Sequence, residues 1–121
     1  MANSFQKIPL SGSVDGKPIL IVGATSASAT PIHTATSNPS VIDEVWLYAY
    51  NEATTSLNCS VLWGGTAEPG NVDRTSITTR AGRILIEDGR LIRNGLTISA
   101  YVTGSGPYIT IDGFVNRITT L

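Results

Sequence analysis

The chain has 121 residues, a formal net charge of −1 and 41% hydrophobic residues, with only 14% charged. That length is one domain with room for a core, and so little charge is foreign to a disordered chain. Near-neutrality also argues against a dedicated nucleic-acid binder, because phosphate neutralisation needs clustered Lys and Arg, and the Arg residues between Arg74 and Arg93 read as a solvated face.

Residues 1–12 read as an N-terminal arm and residues 13–121 as one β domain. Phe5, Ile8 and Leu10 make the arm apolar, while Pro9 and the following SGSVDG work against a long ladder. Such an arm lies along its own sandwich or crosses to a neighbouring molecule, and the residues leave both open. MANSFQKIPL lacks the basic-then-apolar layout of a signal peptide. The longest apolar run, Ile19–Val22, is far short of the roughly 20 residues of a membrane span. A soluble chain made in a cytoplasm is the expectation.

Ile19–Val22 is the first predicted strand, followed by a loop that carries His33. Ser40-Val41-Ile42-Asp43 has a weak capping-box pattern, so a helix through Leu47 competes there. The alternation beyond it favours a strand. Val45, Leu47 and Ala49 alternate with Trp46, Tyr48 and Tyr50, which predicts a central strand covered on both faces.

Leu57, Cys59, Val61 and Trp63 point one way, with Asn58, Ser60 and Leu62 on the other face. Ser76–Thr79 and Ile84–Glu87 follow as shorter β-branched runs. Leu96, Ile98, Ala100 and Val102 alternate with Thr97, Ser99 and Tyr101, and Tyr108–Asp112 and Phe114–Ile118 complete the set. Asp15-Gly16, Gly64-Gly65, Asp88-Gly89, Asn94-Gly95 and Asp112-Gly113 are read as the turns between runs. The prediction is an all-β, single-domain β-sandwich or jelly roll of about eight antiparallel strands.

No catalytic constellation emerges. His33 has hydroxyl residues and the Asp43-Glu44 pair nearby, but Ser and Thr exceed a fifth of the chain and no G-x-S-x-G elbow occurs. An imidazole bonded to loop backbone is therefore expected. Asp43 and Glu44 on a strand would face opposite sides and could not act as a pair. One His, one Cys and scattered acids predict no metal site, and no cofactor is expected. A lone Cys59 excludes an intrachain disulfide. Gly12–Pro18 has three residues between its glycines and Pro18 where a phosphate loop needs a hydroxyl, so it is a turn. The aromatic stripe of Trp46, Tyr48 and Tyr50 reads as core or subunit interface ahead of a sugar platform.

Five segments together carry a family likeness. They are Ile32-His33-Thr34-Ala35, Ile42-Asp43-Glu44-Val45-Trp46-Leu47-Tyr48-Ala49 with Asn51, Trp63-Gly64-Gly65-Thr66, Asn94-Gly95-Leu96 and Val115-Asn116-Arg117-Ile118-Thr119. In this order they resemble small structural proteins encoded in the structural gene modules of tailed bacteriophages. The span from Pro69 to Arg93 carries little of the likeness.

The resemblance implies a virion structural protein of the capsid decoration or cement type. Such a protein would bind the major capsid protein on the shell surface as a homotrimer, with no nucleic-acid or membrane partner. It transfers no catalytic residue. The arm, through Phe5, Ile8 and Leu10, is the first expected contact with capsid or neighbouring subunit, and Trp46, Tyr48 and Tyr50 are the second. A tail, neck or head-fibre component and a carbohydrate-binding host-attachment module are the alternatives.

Overall fold

A computed structural model describes residues 3–103 and 107–120. The chain folds into a β-sandwich of two antiparallel sheets. Nine strands succeed one another: β1 Ser4–Pro9, β2 Ile19–Leu20, β3 Thr30–Thr34, β4 Val41–Asn51, β5 Leu57–Trp63, β6 Val72–Ile77, β7 Ile84–Ile92, β8 Thr97–Thr103 and β9 Ile109–Thr119. Sheet I has the order β1-β9-β4-β7, with β2 also on β9, and sheet II has the order β3-β8-β5-β6. One short 3-10 turn at Ser26–Ser28 is the only helical element among the described residues. Ser40–Asp43 starts no helix, because Val41 already pairs with Thr119 in the sheet.

The alternation seen in the sequence separates core from surface. On β4 the odd residues Val45, Leu47 and Ala49 are buried, and the even ones are only half-buried. Leu57, Cys59, Val61 and Trp63 face them from β5, with Ile98, Ala100 and Val102 from β8. At ~25 cal/mol per Å² of apolar surface, this shared layer is the dominant stabilising element.

The segment expected as an arm is continuous with the sheet. Ser4 to Pro9 pair residue by residue with Thr119 to Phe114 on β9, a six-residue ladder. Pro9 ends the ladder where its missing N–H would fail to donate. Ile19 and Leu20 resume pairing on the same edge opposite Ile111 and Thr110. Between them the chain crosses toward β3, where the Gly12 amide donates to the Ile32 carbonyl at 2.9 Å and Leu10 is 1% exposed inside the core. This loop closes one open side of the sandwich.

Two predicted turns lie inside strands instead. Asp112-Gly113 sits within β9, and Asp88-Gly89 sits within β7. Tertiary packing decides both cases, and Trp46 is the neighbour in each. A Cβ on Gly113 would lie 1.9 Å from the Trp46 carbonyl oxygen, and one on Gly89 would lie 2.9 Å from its ring. Glycine permits the close approach and, at Gly89, a bulge in the β4–β7 pairing between Val45 and Trp46. Asp15-Gly16 and Asn94-Gly95 are turns as read, with positive φ at all four residues.

Candidate interaction surface

The two sheets treat their outer faces differently. On sheet II, Ser60 and Leu62 are fully buried and Tyr101 is nearly so, although all three point away from the core. Glu68 of the loop between β5 and β6 and Arg74 of β6 lie over part of this face. The Tyr101 hydroxyl donates to Glu68 in that loop, and Arg74 donates to Ser60 Oγ and to Tyr101, both at 3.0 Å.

Nothing among the described residues covers the outer face of sheet I. Its register places side chains in cross-strand rows. Phe5, Ile118 and Ile42 form the first row, and Lys7, Asn116, Glu44 and Leu91 the second. Pro9, Phe114, Trp46 and Asp88 follow, then Asp112, Tyr48 and Leu85, and finally Leu20, Thr110 and Tyr50. Phe5 is 64% exposed, Leu91 51%, Leu20 46% and Leu85 44%, so the edges of the face offer apolar side chains beside the exposed Lys7 and Asp88. Aromatic and aliphatic side chains thus recur across the strands of this face, interspersed with Lys7, Glu44, Asp88 and Asp112, the mixed composition of a protein contact surface.

The centre of the face is rigid. Trp46 and Phe114 stack at 4.9 Å between centroids with their planes 12° apart, and the Lys7 ammonium lies 4.4 Å over the Phe114 ring. Arg83 sits 5.6 Å over the Tyr50 ring and donates to Thr110 O and Oγ1 at 3.1 and 2.8 Å. It also pairs with Asp112 at 3.5 Å. The Tyr50 hydroxyl donates to Glu52, and that hydrogen bond holds its pKa above the ordinary value. Asn116 donates to Glu44 at 2.8 Å. Its polar groups are thus largely partnered within the face, which lowers the cost of drying it.

The residues expected at an interface divide. Trp46, Tyr48 and Tyr50 lie on this face, half-buried among their neighbours and covered by no second layer. Phe5 lies at its corner. Ile8 turns inward opposite Val115 and packs on the core. Leu10 is inside the core, so this chain by itself offers no Leu10 surface for contact. Phe114, Leu85, Leu91, Leu20 and Lys7 are members that the sequence reading missed. Their signal was apolar side chains at the solvent phase of a strand, visible only once register is known.

His33 does not lie in a loop. It sits on β3, 1% exposed, with Ser11 N–H donating to its Nδ1 at 3.0 Å and its Nε2 2.7 Å from Asp43 Oδ2. The backbone bond places the ring proton on Nε2, pointing at the carboxylate. The expected backbone partner is therefore joined by an acid from the other sheet. Arg117 completes the group, donating from Nε and Nη2 to Asp43 at 2.9 and 3.0 Å. Burial pushes the Asp43 carboxyl up, but the bonds from Arg117 and His33 outweigh it and hold it below the ordinary value. Both ring nitrogens are occupied, so no hydroxyl can take the nucleophile's place in this cluster. Glu44 points to the opposite face, as expected of adjacent strand residues.

Burial pushes the Cys59 thiol up to about 12, far from a reactive thiolate. Among the described residues no group of three His, Cys, Asp or Glu could hold a metal ion, and no helix is long and apolar enough to cross a membrane. An open depression of about 330 Å³ beside Gly64–Thr66 and Gly95–Ser99 offers only hydroxyl and apolar side chains.

No family model matches the chain, and no curated protein matches it. Among solved structures, one from Bacillus endospore appendages, described as forming a novel family of disulfide-linked pili, aligns over 99% of this chain and 88% of its own. Identity is 12% and the TM-score 0.45, a likeness too slight to inform fold or function.

Proposed function

We propose that this chain is a structural protein of a bacteriophage virion, of the capsid decoration or cement type, acting by adhesion without catalysis. In this reading it docks on the major capsid protein through the outer face of sheet I and assembles as a homotrimer. The observation that carries the adhesive role is the contrast between the faces: on sheet II the outward Ser60, Leu62 and Tyr101 are buried, and sheet I presents an uncovered surface rich in aromatic and aliphatic side chains with its polar groups largely partnered. The virion, the capsid partner and the trimer come from the sequence resemblance. A trimer would multiply modest contacts into firm attachment, because the second and third contacts are intramolecular.

The test is co-sedimentation of purified protein with empty shells of the parent phage. The substitutions Phe5→Ser, Leu85→Ser and Leu91→Ser fall at rim positions that are 64%, 44% and 51% exposed, so the fold should survive them. The triple variant is expected to keep its melting temperature within a few degrees and to lose shell binding. Binding equal to that of the unsubstituted protein would refute the docking face.

A further inference from the structure

The side of the sandwich opposite the Leu10 loop is closed where edge strand β7 of sheet I meets edge strand β6 of sheet II. Three charged side chains meet there. Glu87 pairs with Leu47 in register and is 8% exposed, pointing inward. Asp73 pairs with Val61 and Arg90 with Val45, both core positions, so these two also turn into the seam. Arg90 Nη1 donates to Asp73 and lies 3.4 Å from Glu87 Oε2. The guanidinium is 4.6 Å from the centroid of the Trp63 ring, whose Nε1 donates to the Leu91 carbonyl at 3.0 Å.

Two carboxylates share one guanidinium nitrogen, with Glu87 buried and the Asp73 and Arg90 side chains 48% and 41% exposed. With both acids ionised the cluster carries a net negative charge, with two carboxylates set against a single guanidinium nitrogen. One proton held between Asp73 and Glu87 removes that excess charge and makes a hydrogen bond across the seam. Pairs of this kind titrate as a unit.

We propose that Asp73, Glu87 and Arg90 form a proton-sensitive latch between the two sheets, closed when the carboxylates share a proton and loosened when it leaves. The direction of titration agrees with the geometry. Burial, then the hydrogen bond and charge of Asp73, push Glu87 up to about 7 against the opposing pull of Arg90. The charged groups facing Glu87 are Asp73 from β6 and Arg90 from β7; β4 presents Leu47. Because folding raises the value from an ordinary 4.5, the latch stabilises fully below that pH, and the stabilisation is lost as pH rises through about 7. β7 also carries Leu85 and Leu91, so a loosened seam frees the edge of the outer face. The latch itself stands without any assumption about what that face binds.

The experiment compares thermal melts between pH 5 and 9 for the unsubstituted protein and Glu87→Gln, which keeps a permanent donor toward Asp73. The unsubstituted protein is expected to lose about 5–10 °C across that range, and the variant to lose much less. Hydrogen exchange in β7 should quicken over the same interval, and a carboxyl-carbon NMR titration should place the Glu87 midpoint near 7. A flat melting profile, a midpoint in the ordinary carboxylate range, or the same slope in both proteins overturns the proposal. The NMR titration uses the unsubstituted chain and decides the matter even where the variant fails to fold.

Discussion

Replacing Asp43 with Ala should reveal how far one buried carboxylate ties the two sheets together. Asp43 is fully buried on sheet I, and it takes the Nε2 proton of His33 on sheet II and two N–H groups of Arg117. The substitution strands the His33 proton in a buried site, at a cost of ~1–3 kcal/mol. It also strands the Arg117 charge, and removing one partner of a buried ion pair costs about 3–5 kcal/mol. The Arg117 side chain is 28% exposed and recovers some hydration, so the lower end applies, about 3 kcal/mol.

In a chain of this size that is a fall of roughly 10–15 °C in melting temperature. Urea titration of Asp43→Ala, His33→Leu and the double variant measures it directly. The double variant leaves no orphaned imidazole proton and should cost at least ~1 kcal/mol less than the sum of the singles. A loss below ~1 kcal/mol for Asp43→Ala, or strictly additive singles, would refute the cross-sheet role. The sign with pH is also set: the Asp43 carboxyl lies below its ordinary 3.8 in the fold, so its stabilisation is present above that value and is lost on acidification through the lower folded one.

Other expectations concern packing. Leu10→Ala should cost about 2–5 kcal/mol in chemical denaturation, because the side chain fills the core beneath the loop that closes one side of the sandwich. Phe5→Ala, a few residues earlier but 64% exposed, should stay within about 0.5 kcal/mol. Equal effects would contradict the placement of the arm. Gly113→Ala should lose at least ~3 kcal/mol or fail to fold, since the new Cβ would meet the Trp46 carbonyl at 1.9 Å with φ at +154. Gly70→Ala, where a Cβ meets nothing within 4 Å, should change stability by less than about 1 kcal/mol.

What could be read from the chain beforehand follows the range of each interaction. Val45–Tyr50, Leu57–Trp63 and Thr97–Val102 were legible because each strand alternates by itself, and alternation is a local signal; Leu96, expected to face inward with Ile98, instead lies before β8 and is 45% exposed. Asp15-Gly16 and Asn94-Gly95 were legible for the same reason. Asp88-Gly89 and Asp112-Gly113 carry the same dipeptides, yet they sit within strands, because the requirement for glycine comes from Trp46 on a neighbouring strand. The even positions of β4 were expected to be covered, but among the described residues nothing lies over them, and they form the open face. The His33–Asp43–Arg117 cluster spans separations of 10 and 74 residues, beyond any spacing rule. A usable hint was present all the same: Asp43 falls in the buried phase of β4, and a carboxylate in that phase demands partners.

The decoration role is tested most directly by the copy number of this chain in purified particles of the parent phage, measured by quantitative mass spectrometry against the major capsid protein. The account predicts a number comparable to that of the capsid protein, or a simple large fraction of it. A handful of copies per particle, or none, would contradict it.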